Sequence, residues 1–217
     1  MNFDQETADR VSANLLQIKA IKLNNSQPFT WASGLKSPIY CDNRITLSYP
    51  KIRTYIRQQL AKAITDHFGN VDVIAGVATA GIPQGALVAQ ELGLPFAYVR
   101  SSAKDHGLTN KIEGIVNSGQ TVVVVEDLVS TGKSSLEAVH ALREIGAKVN
   151  GMVAIFSYGL KVAEANFTDA QCTLITLSDY DSLITKAVED EYISKKDETS
   201  LREWKSDPKA WSDQQNQ

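Results

Sequence analysis

The chain has 217 residues and a mass of 23.7 kDa, enough for one sizeable hydrophobic core and little for two. Hydrophobic residues make up 43% and charged residues 22%, as in an ordinary globular protein, and a formal charge of -3 argues against non-specific nucleic-acid binding. MNFDQETADR is not a secretory leader, no segment nears the roughly 20 apolar residues of a membrane span, and Cys41 and Cys172 lack the spacing of a disulfide framework or zinc site, so a reducing cytoplasm is the expected home.

No repeat or low-complexity linker divides the chain, and one domain over 1–217 is expected. Residues 7–22 set Ala8, Val11, Leu15 and Ile18 at helical spacing behind Thr7, the expected N-cap. A loop region, 24–50, follows, rich in Ser, Pro, Gly and Asn and also in aromatics. Residues 51–68 place Ile52, Ile56, Leu60, Ile64 and Phe68 in one row of an amphipathic helix. From there strands and helices alternate. VDVIAGV (71–77), PFAYVR (95–100), TVVVVED (121–127), VNGMVAIF (149–156) and CTLIT (172–176) read as strands. IPQGALVAQEL (82–92) and 134–145 read as helices, each closed by a glycine. Strands apolar on both faces and separated by helices imply a doubly wound parallel α/β sheet. Its ligands would sit beyond the carboxyl ends of the strands, after Val77, Arg100, Asp127 and Phe156. Cys172 reads as a small buried hydrophobe. The tail from Val188 is charged and helix-compatible to about Trp204. Tyr192, Trp204 and Trp211 suggest that part of it packs onto the body, and SDQQNQ reads as frayed.

The chemistry concentrates in TVVVVEDLVSTGKSS (121–135). Its TGKSS resembles the end of an ATP-binding phosphate loop, but that pattern needs glycine at the position held by Asp127. A carboxylate there would face the phosphates. The stretch offers instead two acids, Glu126 and Asp127, and then a tight loop, Ser130-Thr131-Gly132-Lys133-Ser134, opening a helix. Amides at a helix N-terminus, with Ser and Thr hydroxyls, cup one dianionic phosphate, while carboxylates accept hydrogen bonds from sugar hydroxyls. Acids about four residues before such a cup fit a ribose 5-phosphate. A plain N-cap with solubilising acids is the bland alternative, and four valines running into two acids weaken it.

The run Glu126, Asp127, Leu128, Val129, Ser130, Thr131, Gly132, Lys133, Ser134 resembles, without a gap, the 5-phosphoribosyl 1-pyrophosphate (PRPP) motif of type I phosphoribosyltransferases. Two further stretches narrow the likeness and a third extends it. YVRSSAKDHGLTNKIEG (98–114) resembles the catalytic loop of orotate phosphoribosyltransferases, with Arg100, Lys104 and His106 ahead of Gly107 and no further lysine at 101–103. FTWASGLKSPIYCDNR (29–44) resembles the orotate-site signature of that family, and GVATAGIPQGA (76–86) its pyrophosphate loop. The likeness spans about 7–187 and is greatest to the form found in Gram-positive bacteria.

This resemblance implies a small N-terminal hood (1–50), a core sheet (71–187), a tail (188–217) and a mobile catalytic loop. It implies transfer of the phosphoribosyl group from PRPP to orotate in pyrimidine biosynthesis, and a homodimer whose loop reaches the neighbouring site. Mg²⁺ would be held mainly through PRPP rather than by a protein metal site. Arg100, Lys104 and His106 would be catalytic and would bind PRPP together with 126–134. Ala32 and Tyr158 stand where some members have a cation for the orotate carboxylate. Lys36 and Arg44 are the nearby cations for it, and Ser130 would bond the pyrimidine ring. Neither nucleic acid nor membrane is an expected partner.

Overall fold

The computed structural model describes residues 2–31, 33–100 and 111–215. Helix α1 (Gln5–Gln17) starts ahead of Thr7, and Asp4 takes the N-cap: its carboxylate accepts the Thr7 amide at 2.7 Å and the Thr7 hydroxyl at 2.8 Å. A carboxylate there also meets the positive end of the helix dipole. The helix does not continue to residue 22, because the chain turns extended at Ile21 to form β1 (Ile21–Leu23). The region read as a loop carries two small antiparallel pairs. β1 pairs with β4 (Ile39–Cys41), and β2 (Phe29–Thr30) pairs with β3 (Lys36–Ser37). Strands this short print no alternation in the sequence. A 3-10 helix, Asn43–Ser48, leads into α2 (Pro50–Phe68), which Pro50 opens in its first turn.

The body then alternates: β5 (Val73–Val77), α3 (Gly81–Leu92), β6 (Phe96–Val99), β7 (Ile112–Glu113), β8 (Thr121–Val129), α4 (Lys133–Glu144), β9 (Lys148–Ser157), α5 (Lys161–Asp169), β10 (Leu174–Asp179) and α6 (Tyr180–Glu189). Helices α5 and α6 were not expected from the sequence, and the last strand lies at 174–179 rather than 172–176. The tail forms α7 (Lys195–Ser206) and α8 (Pro208–Gln214), so Ser212–Gln214 are helical rather than frayed. Trp204 and Trp211 are buried, whereas Tyr192 stays exposed.

The six strands lie in the order β10-β9-β8-β5-β6-β7, parallel except for the short β7 at one edge. Alternate residues of each central strand feed two cores. Val123, Val125 and Ile74 pack with α1, α2, α3 and α6, while Val122, Val124 and Val73 pack with α4 and α5. Helices cover both faces, which is why the strands are apolar throughout. At the other edge Asn2 bridges Thr176 of β10, and the Phe3 amide donates to the Thr176 carbonyl at 2.8 Å. The chain leaves β5 toward β6 and returns to lay β8 on the other side of β5. The carboxyl ends of these two strands therefore flank the topological switch point, where such sheets bind ligands. Among the described residues no helix is long and apolar enough to cross a membrane.

Candidate active site

Three segments meet at the switch point: the turn after β5, the loop after β8, and the hood of β1–β4 with its 3-10 helix. The β5 turn is packed against the sheet through glycine. A Cβ on Gly76 would lie 2.8 Å from the Gly81 carbonyl oxygen, and one on Gly81 would lie 2.6 Å from that of Val125. The backbone of α3 thus starts directly beside the end of β8, and the Ala78–Thr79 peptide within the turn is cis.

Strand β8 runs past the acids to Val129, so Glu126 and Asp127 lie within it rather than at its end. Successive strand residues leave the backbone on opposite faces, yet the two carboxyls still meet in a side-chain hydrogen bond. Glu126, 5% exposed, turns toward α4: its Oε2 accepts the Ser135 hydroxyl at 2.8 Å, and its Oε1 accepts the Asp127 amide at 3.0 Å. Burial first, then the neighbouring Asp127 charge, push its pKa up to about 8. Asp127 faces the hood, with Cys41, Arg44 and Tyr158 as electrostatic neighbours, and burial raises its pKa too. A buried relay fixes the backbone at Asp127. Gln84 Nε2 donates to Thr46 Oγ1 at 3.1 Å, Thr46 Oγ1 to the Asn43 carbonyl at 2.6 Å, and Asn43 Nδ2 to the Asp127 carbonyl at 2.7 Å.

After β8 the chain turns through Ser130 and Thr131 into Gly132, whose φ of 78° is the left-handed conformation that suits glycine. A Cβ there would also meet the Phe167 ring at 2.6 Å. Asn166 Nδ2 pins the outside of the loop by donating to the Thr131 carbonyl at 2.9 Å. The first turn of α4 leaves its leading amides without helical partners, as every helix start does. Helix α4 begins at Lys133, one residue earlier than expected, and the Lys133 side chain lies in the outer cleft with Glu137 and His140 of α4 and Asn166 of α5.

Beside the loop opens a cleft of about 530 Å³ lined by Thr30, Trp31, Leu35, Tyr40, Leu128, Ser130, Thr131 and Tyr158, with Ser33 and Cys41. The Trp31 and Tyr158 rings stack at 5.3 Å and form its wall. Burial holds the Tyr158 phenol well above its ordinary pKa, so it stays protonated. Burial likewise raises the Cys41 thiol and, at the far side of the sheet, lifts the Cys172 thiol to about 11.

The expected cations are dispersed. Lys36 Nζ donates to Thr30 Oγ1 at 3.0 Å on the hairpin above the cleft, and Arg44 forms a two-pronged pair with Asp42 at 2.7 and 2.9 Å. Neither lines the cleft. Arg100, at the end of β6, lies 3.5 Å from Glu113 of β7, and its amide donates to the Lys111 carbonyl at 2.7 Å. Lys104 and His106 fall outside the described residues, as does Ala32. The sequence reading missed Asn43, Ser135 and the Trp31–Tyr158 wall. For Asn43 the only available signal was its place in the YCDNR run.

A strand-borne acid pair followed by a tight loop that opens a helix, set at the switch point of a doubly wound sheet, is the arrangement of a phosphoribosyl transferase. The family model for the phosphoribosyl transferase domain matches residues 47–188. The orotate phosphoribosyltransferase of Porphyromonas gingivalis is 55% identical over 93% of this chain and 96% of its own length. Among solved structures, the orotate phosphoribosyltransferase of Aeropyrum pernix has a TM-score of 0.73 at 26% identity, covering 85% of this chain and 99% of that one. The Leishmania donovani UMP synthase has a TM-score of 0.76 at 26% identity over 91% of this chain, which spans 42% of that longer protein. This chain belongs to the orotate phosphoribosyltransferase family.

Proposed function

We propose that this chain transfers the 5-phosphoribosyl group of PRPP to N1 of orotate, giving orotidine 5′-monophosphate and pyrophosphate on the route to UMP. The observation that carries the reading is the juxtaposition of the 126–134 loop with an aromatic cleft sharing Leu128, Ser130 and Thr131. One edge of that loop suits a phosphorylated ribose and the other a flat base.

On this reading the amides and hydroxyls of 130–134 receive the 5-phosphate. Asp127, facing the hood, accepts from the ribose hydroxyls. Glu126, held by Ser135, completes that site, and in its neutral form its carboxyl donates as well as accepts. Backbone of the turn after β5 holds the pyrophosphate. Orotate lies against Trp31 and Tyr158 with Ser130 at its ring, and Lys36 and Arg44 are the hood cations available to its carboxylate.

Orotate is an anion, so N1 attacks without a strong general base. The bond from C1′ to pyrophosphate breaks as that to N1 forms, inverting C1′ through an oxocarbenium-like state. Catalysis is then chiefly positioning and stabilisation of the departing charge. Arg100, Lys104 and His106 meet that charge. Arg100 would exchange or share its Glu113 partner, and His106 would hand over a proton if charged. Mg²⁺, a hard cation usually brought in with substrate phosphates, would be held mainly through PRPP, the Asp127 carboxyl adding at most one oxygen. Bound with PRPP, the metal would share the pyrophosphate's charge.

Residues 1–217 would act as one cytoplasmic domain in a homodimer, with the loop bearing Lys104 and His106 completing the neighbour's site. The test is direct. Protein, Mg²⁺, PRPP and orotate should consume orotate, read as loss of its ultraviolet absorbance, while adenine, guanine and hypoxanthine should not replace it. Folded protein that leaves the absorbance unchanged would overturn the proposal.

A further inference from the structure

The match to the phosphoribosyl transferase domain stops at residue 188, yet the segment beyond it reaches the base cleft from behind. The chain has three tryptophans, Trp31, Trp204 and Trp211, and all lie where α7 and α8 meet the hood. Trp204 is 0% exposed and does not line the cleft. Its ring meets edge-on the two rings that do: Trp31 at 5.7 Å and 82°, and Tyr158 at 5.7 Å and 84°. On its far side it lies 5.0 Å from Tyr180, whose hydroxyl donates to the Leu201 carbonyl at 3.1 Å and ties α6 to α7.

The tail also holds the strands that carry Trp31. The Lys36 amide of β3 donates to Ser212 Oγ of α8 at 2.9 Å. Ser200 Oγ of α7 donates to Asn25 Oδ1 of the hood at 2.9 Å and accepts from Trp211 Nε1 at 3.1 Å. Two hydrogen-bonded anchors and one indole thus fix a wall to which the described residues of the tail contribute no lining. Aromatic rings favour edge-to-face contact, and a ring without its edge partner gains freedom to tilt. Tilting of Trp31 or Tyr158 would change the cleft more than the phosphate loop, which shares only Ser130 and Thr131 with it and continues through Gly132 into α4.

From this we infer that Trp204 is a positioning residue for the acceptor base: α7 and α8 hold the Trp31–Tyr158 wall, so the tail sets affinity for the acceptor and not for PRPP. The inference rests on the reading that orotate occupies this cleft. It treats the hood and tail, which flank the matched domain in sequence, as one base-binding unit.

The experiment uses the full chain. Trp204→Leu, Trp204→Phe and Ser212→Ala are compared with wild type by initial rates, varying orotate and PRPP in turn, and by tryptophan emission during orotate titration. Trp204→Leu should raise KM for orotate about tenfold and leave KM for PRPP within about twofold. Trp204→Phe, which keeps an aromatic edge, should recover most of the loss. Ser212→Ala should shift KM for orotate in the same direction by about threefold. Orotate should quench emission in wild type, with the midpoint following KM in each variant. Equal changes in both KM values, or lowered melting temperatures with unchanged KM for orotate, would overturn the inference and leave Trp204 an ordinary core residue. If Trp204→Leu does not fold, Trp204→Phe and Ser212→Ala decide on the same criteria. A wild type that uses another base in place of orotate would overturn the activity reading instead, and the same variants run with that base would still judge the tail.

Discussion

The two ends of the proposed site, the phosphate end at 130–134 and the base end at the aromatic cleft, are built on opposite plans. The phosphate end is mainly backbone from one continuous stretch, shaped by a glycine and by the start of α4. The base end is side chain, its wall formed by rings from β2–β3 and the loop after β9 and backed by an indole from α7. An end made of amides should tolerate most side-chain changes within it but no change in its path. An end made of rings should respond to residues that never touch the ligand.

The largest expected effect breaks the backbone end alone. Gly132→Ala sets a Cβ against Phe167 at a φ of 78°, and it should raise KM for PRPP about 100-fold while orotate still quenches tryptophan emission. If initial rates against PRPP change by less than about twofold, the loop is not the phosphate seat. Next, Asp127→Asn should weaken PRPP use about tenfold with the circular dichroism of the fold intact. Unchanged PRPP kinetics would remove Asp127 from the ribose site.

A smaller effect concerns the buried acid. Glu126 is pushed up to about 8, whereas an unfolded glutamate titrates near about 4.3. Between those values the unfolded chain sheds a proton that the folded chain keeps. Glu126 therefore supports folding most below that window, and its contribution is lost as pH rises through it. Melting temperature should fall across this window in wild type and fall less in Glu126→Gln. Parallel profiles would mean that Glu126 titrates normally. The smallest effect is expected at Lys133, whose side chain lies in the outer cleft. Lys133→Gly should leave kcat/KM for PRPP within about twofold, and a large loss in a folded variant would show that a side chain, and not an amide, holds the phosphate.

The same contrast explains what could be read from sequence. The phosphate end is nine consecutive residues, Glu126 to Ser134, with glycine and hydroxyls at set positions, so a local pattern carries it. The base wall is assembled by tertiary packing of Trp31, Tyr158 and Trp204, and no local spacing announces such a meeting. The long strands and amphipathic helices printed their periods. The two- and three-residue strands of the hood are too short to do so, and α5 and α6 were not read at all. Thr7 looked like an N-cap because it precedes the apolar row, but Asp4 sits one turn earlier and its carboxylate binds both groups that Thr7 offers. Glu126 and Asp127 stand out in the sequence as adjacent acids at the end of a valine run. That their carboxyls share a hydrogen bond, with Glu126 also held by Ser135 of α4, follows only once β8 is known to run through them to Val129.

The contact of Asn2 and Phe3 with Thr176 has a consequence for association. A parallel sheet of this kind ends in strands whose outer amides and carbonyls invite another chain to pair. Here the first residues lie along β10 and occupy part of that edge, while the opposite edge is the two-residue β7. The sheet is thereby discouraged from growing by strand addition in either direction, and an affinity tag fused directly ahead of Asn2 would crowd the guarded side. A tag at the other terminus leaves that guard in place.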